Sequence, residues 1–204
     1  GYRYLGIDEV GSHQGLREGS RGMTGLIYGA DTIVEKTVPY QSVYLSSGYV
    51  ALKREAHGNR LYAGLNALQP GSGHQHQDRL NLLTYSRDRM LSGEKRTQYY
   101  DQDQRVYSRA SYAHNTVTVD EASQVQGNQL QGERVPRIDN FVDLPAAQIA
   151  EAHGDKVCEQ TEVYRRLVCQ FDEYVLDVFR VEGGKVHDWC YHGIGQTPEL
   201  SIPM

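Results

Sequence analysis

The feature that most constrains this chain is a rhythm: stretches of alternating apolar and polar residues, each cut off by a turn signal after about ten positions. Ser42 to Arg54 (SVYLSSGYVALKR) alternates and ends in charge, and Arg60 to Asn66 (RLYAGLN) follows a His-Gly-Asn turn signal at 57–59. The two read as a hairpin. Further strands are expected at Arg79 to Tyr85, Asn115 to Val119 (NTVTV), Thr161 to Cys169 and Tyr174 to Val181, the last followed by Gly183-Gly184. Period-2 alternation places one face of a strand inward, and many short strands at this spacing point to an all-β fold, either a sandwich or a large antiparallel sheet. Helical periodicity is scarce. Residues 1–40 are glycine-rich without a sustained pattern and read as a lead-in from a preceding domain. Residues 41–204 read as the sandwich, expected to be incomplete at its C-terminal side.

Charge and composition narrow the function classes. The 204 residues carry a formal charge of −5, with 21 Lys+Arg against 26 Asp+Glu, which argues against a basic nucleic-acid module. No run approaches the roughly 18 apolar residues of a membrane helix. The three cysteines, Cys158, Cys169 and Cys190, have neither finger nor Cys-x-x-Cys spacing. Fifteen tyrosines against three phenylalanines and one tryptophan suit half-wet strand faces and polar-ligand sites, because tyrosine pairs a flat apolar ring with a polar tip. Residues 53–109 hold ten Lys/Arg and six Asp/Glu, a locally basic stretch in an acidic chain, suited either to an anionic ligand or to a solvated face.

The chemistry-bearing block runs from Gly71 to Asp120. His74, His76 and Asp78 follow Gly-Ser-Gly at two-residue spacing; on a strand they share a face, with neighbouring Cβ positions about 6–7 Å apart. Two imidazoles and a carboxylate suit a metal or acid/base site. His114 opens the NTVTV segment and can join them from another strand, as zinc sites built from three protein ligands require. Glu94, Tyr99, Tyr100, Asp101 and Asp103 lie between and offer oxygen donors or a phenol. A cupin-type metal barrel also uses His-x-His, but the Glu expected three or four residues later is missing from 79–83.

Three ordered blocks, GHQHQDRLNLLTY (73–85), SRASYAHNTVTVDEASQ (108–124) and FDEYVLDVFRVEGGKVHDWCYHG (171–193), together with Ser-Gly-Tyr-Val at 47–50, resemble the signature stretches of the heparinase II/III-like polysaccharide lyases, a group that includes oligoalginate lyases. The resemblance implies a two-part enzyme, an N-terminal α/α toroid followed by an antiparallel β-sandwich, of which this chain corresponds to the sandwich. It implies β-elimination on a uronate-containing polymer such as alginate or heparin/heparan sulfate, with a non-catalytic, metal-stabilised carbohydrate-binding sandwich as the alternative. By motif position, His74 resembles the histidine that faces substrate, and Tyr99 or Tyr100, with Tyr100 preferred, a sandwich tyrosine near the cleft. His76 and His114 resemble ligands of a divalent metal, usually zinc. The family's third ligand, an Asp in an apolar-Asp-x-Gly stretch, is replaced here by MLSGEKR at 90–96, which leaves Glu94 as the substitute. Arg79 and Asn115 are the expected substrate contacts.

The reaction explains the residue types. The C5 proton of a uronate is weakly acidic beside a charged carboxylate, so cationic or hydrogen-bonding groups must offset that charge while a Tyr or His takes the proton and returns one to the C4 oxygen. Expected partners are an acidic polysaccharide or oligosaccharide, the toroid of the same protein and, as an option, a second copy, with no nucleic acid and no membrane. The resemblance implies a periplasmic or secreted setting, and the chain alone is expected to be inactive.

Overall fold

The computed structural model describes residues 39–69, 75–87, 89–93 and 101–193. Apart from its last two residues, the expected lead-in lies outside them.

Two antiparallel sheets face each other. The first has five strands in sequence order: β1 (Val43–Leu45), β2 (Tyr49–Ala56), β3 (Asn59–Asn66), β4 (Asn81–Ser86) and β5 (Arg89–Ser92). The second has four, β7 (Arg137–Asp143), β8 (Gln148–His153), β9 (Thr161–Gln170) and β10 (Val175–Gly183), each paired with its sequence neighbour. A two-stranded ribbon joins β6 (Val117–Val119) to β11 (His187–Trp189), with Trp189 opposite Val117. The architecture is the expected all-β antiparallel sandwich.

Between the sheets, Val50, Leu52, Ala63, Leu65 and Leu82 of the first meet Ala150, Ala152, Tyr164 and Val168 of the second. Each large aliphatic side chain so buried contributes about 1.5–3 kcal/mol. The alanines keep the facing backbones close where the opposing residues are bulky.

Local chemistry fixes the turns. His57 and Gly58, at φ 51° and 73°, form the two-residue loop between the partners Ala56 and Asn59; positive φ at both positions matches the right-handed twist of the flanking strands. The run Ser42 to Arg54 is not one strand, since a turn at 46–48 divides β1 from β2. Gly48 makes that turn at φ 97°, and a Cβ there would lie 2.1 Å from the Ala67 carbonyl oxygen. The strand expected to start at Arg79 starts at Asn81, because Leu80 adopts φ 58° and leaves the β region.

One helix was not anticipated: α1 (Gln102–Arg109). Asp101 caps it, accepting the Gln104 N–H at 3.1 Å, with Asp103 in the first turn and Arg109 in the last, as the helix dipole favours.

Candidate two-imidazole site

His76 and His114 come together although 37 residues separate the segments Arg79 and Thr116 that anchor them. Their ring centroids are 5.2 Å apart and the planes are tilted by 41°. His114 is fully buried and His76 half-buried. Neither ring stands on a strand. The expected strand face shared by His76 and Asp78 does not form, because 75–80 runs as irregular backbone.

That backbone is held from three sides. Gln77 N–H donates to the Arg109 carbonyl at 2.9 Å and the Ser111 hydroxyl donates to the Gln77 carbonyl at 2.6 Å. The buried Gln124 amide treats Arg79 as a ladder partner, accepting its N–H at 2.7 Å and donating to its carbonyl at 2.9 Å. Thr116 Oγ1 donates to the same carbonyl at 2.9 Å. The Tyr164 hydroxyl, 2.9 Å from Thr116 Oγ1, donates to the Val117 carbonyl at 2.5 Å. A side-chain network of this kind matches the peptide groups that an irregular buried segment would otherwise strand.

On the second sheet, Arg166 completes the frame. Its guanidinium is fully buried, and Nη1 donates at 2.5 Å to the carbonyls of both Leu80 and Asn115. Leu80 closes the His76 segment and Asn115 follows His114, so one atom ties both imidazole-bearing segments to β9.

Arg79 and Asn115, expected to meet substrate, are placed inside the fold. Arg79 is 2% exposed. Its guanidinium donates to Asp78 Oδ1 at 2.8 Å, to the His76 carbonyl at 3.1 Å and to Gln75 Oε1 at 3.0 Å. Burial draws it below its ordinary pKa, and the charge and hydrogen bond of Asp78 oppose the shift. Asn115 Nδ2 donates to the Gly93 carbonyl at 3.2 Å, while its Oδ1 accepts the His192 N–H at 2.6 Å. Both residues position the loops, Arg79 with its buried Nε left unmatched. Both oxygens of Asp78 are engaged, Oδ2 accepting from Asn66 Nδ2 and Oδ1 from Arg79, each at 2.8 Å. His74, Glu94 and Tyr100 lie outside the described residues.

Three of the ten basic residues of 53–109 are paired with carboxylates among the described residues. Arg54 pairs with Asp172, Arg60 with Glu55 and Arg79 with Asp78. His187 is bonded through Nε2 to the Gly183 carbonyl, whereas His192 lies against the His114 segment, its N–H on Asn115 Oδ1 and its Nε2 at 2.9 Å from the Tyr112 carbonyl.

The pair fits two positions of one zinc. Imidazoles sharing a tetrahedral ion at metal–nitrogen distances of about 2.0–2.1 Å have ring centres about 5 Å apart, as these do. Among the described residues no group of three or more His, Cys, Asp or Glu is arranged to hold a metal.

Sequence reading missed Ser111, Thr116, Gln124 and Arg166. The signal for Arg166 was present: it occupies an inward position in the alternation Tyr164, Arg166, Val168, where a charge is admissible only with partners.

The family model described as heparinase II/III-like, C-terminal, matches residues 37–191. Among solved structures, the heparan sulfate lyase HepC from Pedobacter heparinus aligns at 17% identity and a TM-score of 0.60, covering 78% of this chain and 24% of that one. A heparinase III aligns at 20% identity and a TM-score of 0.62, covering 73% and 23%. This chain thus spans about a quarter of those proteins. A search of curated proteins finds no match.

Proposed function

The chain belongs to the heparinase II/III-like family, carrying its C-terminal domain, and from that premise we propose that it is the sandwich part of a polysaccharide lyase. The substrate class is a uronate-containing anionic polysaccharide or oligosaccharide, of the heparan sulfate or alginate type, cleaved by β-elimination. The observation that carries this reading is the meeting of His76 and His114 on loops braced through their main chains. Such bracing is what a site needs when a nearby group must be held against substrate within a fraction of an ångström.

In this reading His76, His114 and Glu94 hold a divalent metal, zinc by the chemistry of the donor set. The ion would fix the loop that presents His74, as a structural zinc does. His74 offsets the substrate carboxylate, Tyr100 exchanges the proton, and the remaining catalytic groups belong to an N-terminal toroid. Arg79 serves by holding the His76 carbonyl, and Asn115 by holding Gly93 and His192. The setting proposed is periplasmic or secreted; among the described residues no helix is long and apolar enough to cross a membrane.

The test is His74→Ala in the toroid-containing protein, assayed by the ultraviolet absorbance of the unsaturated uronate product. Turnover should vanish while polysaccharide binding persists. A parent protein that binds such polymers without ever releasing unsaturated product would instead be a carbohydrate-binding module.

A further inference from the structure

Apart from the imidazole pair, a cavity of about 440 Å³ opens where the turn between β1 and β2 meets the chain entering β7. Tyr44 of β1 and Gln69, just past β3, contribute to its lining, as do Val135, Pro136 and Arg137. Its size falls within the range of about 300–1,000 Å³ usual for small-ligand sites. The cavity is joined to the first imidazole segment: the Gln69 carbonyl accepts from Gln75 Nε2 at 2.8 Å, and His76 follows Gln75.

The walls are fixed in place. Gln69 N–H donates to the Ser47 carbonyl at 3.0 Å and Ala67 N–H to the Gly48 carbonyl at 2.8 Å, which clamps the β1–β2 turn against the end of β3. Pro136 is buried, and its ring sets the backbone there. The Tyr44 ring packs against Phe141 with centroids 6.3 Å apart.

Three polar groups of the lining stand idle. Among the described residues, nothing hydrogen-bonds the Tyr44 hydroxyl, the Gln69 side-chain amide or the Arg137 guanidinium, and no carboxylate pairs with Arg137. For Arg137 the reason is local. Asp139, the nearest acid in sequence, lies with both oxygens 2.7 Å from His153 Nδ1. Glu151 accepts from Asn140 at 2.6 Å, and Glu159 pairs with Arg134 at 3.5 Å. An unpaired arginine on an open surface is ordinary; one on a cavity wall, with a free amide and an exposed tyrosine ring, makes a recognition set.

That set defines the guest. A guanidinium takes a carboxylate or a sulfate through two parallel N–H bonds. The Gln69 amide offers a donor and an acceptor, as adjacent hydroxyls require. The Tyr44 ring, 45% exposed, gives a flat apolar surface, and Val135 and Pro136 add aliphatic contact for C–H groups. A bare inorganic anion would use Arg137 alone, and an apolar guest would use neither Arg137 nor Gln69.

We propose that this cavity binds one acidic pyranose unit, its carboxylate or sulfate on Arg137, its hydroxyls on Gln69 and its C–H face on Tyr44. The choice of a sugar rests on the lyase reading, under which the site grips a unit of the polymer away from the one at the imidazoles.

The experiment titrates the full chain with methyl β-D-glucuronoside and N-acetylglucosamine 6-sulfate, with methyl β-D-glucopyranoside and inorganic sulfate as comparisons, following saturation-transfer signals and the tyrosine resonances. At least one charged sugar should bind saturably, and both comparisons about tenfold more weakly. Arg137→Gln should remove the advantage of the charged sugar over the neutral one, and Tyr44→Ala should weaken the charged sugar about tenfold. Both residues are exposed, so both variants keep the fold. Four outcomes overturn the proposal: neither charged sugar binds, a comparison binds as tightly, the preference survives in Arg137→Gln, or Tyr44→Ala changes nothing. No turnover is measured, so a parent protein that never forms unsaturated product would sink the lyase reading and leave this site standing, whereas absence of binding here would leave the His74 test untouched.

Discussion

Arg166 and Asp177 meet as a two-pronged ion pair within the second sheet, Nε to Oδ1 at 2.8 Å and Nη2 to Oδ2 at 2.5 Å, with the Phe179 ring 5.2 Å from the guanidinium carbon. Asp177 holds the guanidinium in the one orientation that lets Nη1 reach Leu80 and Asn115. Removing the carboxylate strands a buried cation, so Asp177→Asn should cost about 3–5 kcal/mol in denaturant unfolding. The double variant Arg166→Met with Asp177→Leu should not recover that loss, because it also takes Nη1 from the carbonyls of Leu80 and Asn115. A cost below about 1 kcal/mol for Asp177→Asn would mean the pair is not the brace described.

Gln124 is the second brace. In Gln124→Ala the N–H and carbonyl of Arg79 both lose a partner and the Tyr164 hydroxyl loses a neighbour at 3.1 Å. The expected loss is about 2–4 kcal/mol, read from chemical denaturation. A Gln124→Ala protein as stable as the parent would show the amide to be dispensable.

The strands that alternate large and polar residues were legible from sequence, and β9 and β10 fall within two residues of their expected bounds. β7 and β8 were not legible. The inward positions of β8 are filled by Ala150 and Ala152 beside Gln148 and Glu151, residue types that favour helices, and only tertiary packing makes them a strand. The meeting of His76 with His114 was anticipated from spacing and resemblance, but its means was not. A strand was expected to carry the first histidines, whereas side-chain amides and hydroxyls from 111–124 hold an irregular segment, and no periodicity reports such bonds.

Zinc should raise the thermal unfolding temperature of the chain with Glu94 intact, by the equivalent of about 2.7 kcal/mol at a hundredfold excess over Kd. His76→Ala and His114→Ala should each abolish the rise. Scanning fluorimetry with and without a chelator measures it, and a rise that persists in both variants would place the ion elsewhere.

Burial pushes the Cys158 thiol up to about 12, so it stays protonated near neutral pH and enclosed as well. Iodoacetamide should label Cys190, which is half-exposed, well before Cys158, and all three thiols should react alike once the chain is unfolded. Mass spectrometry of a labelling time course decides; equal native rates for Cys158 and Cys190 would contradict the core placement.

Asp120 accepts the N–H groups of Lys185 at 2.7 Å and Val186 at 2.9 Å, bonds that hold its carboxyl below the ordinary 3.8. With the folded value below the unfolded one, the contribution is present above pH 3.8 and is lost as pH falls through the lower folded value. The amide resonances of Lys185 and Val186 should therefore hold steady down to that range and shift only beneath it, and Asp120→Asn should erase the transition. A midpoint above 3.8 would reverse the sign.

The run from Gln77 to Arg79 is gripped by its peptide groups, and that divides the neighbourhood into residues open to redesign and residues that are not. Randomising His76 leaves the trajectory of the loop intact, because the atoms that Ser111, Thr116 and Gln124 seize are the same in every amino acid. Randomising those three scatters the trajectory itself. A laboratory seeking new ligand preferences would vary what the loop displays and leave its holders untouched.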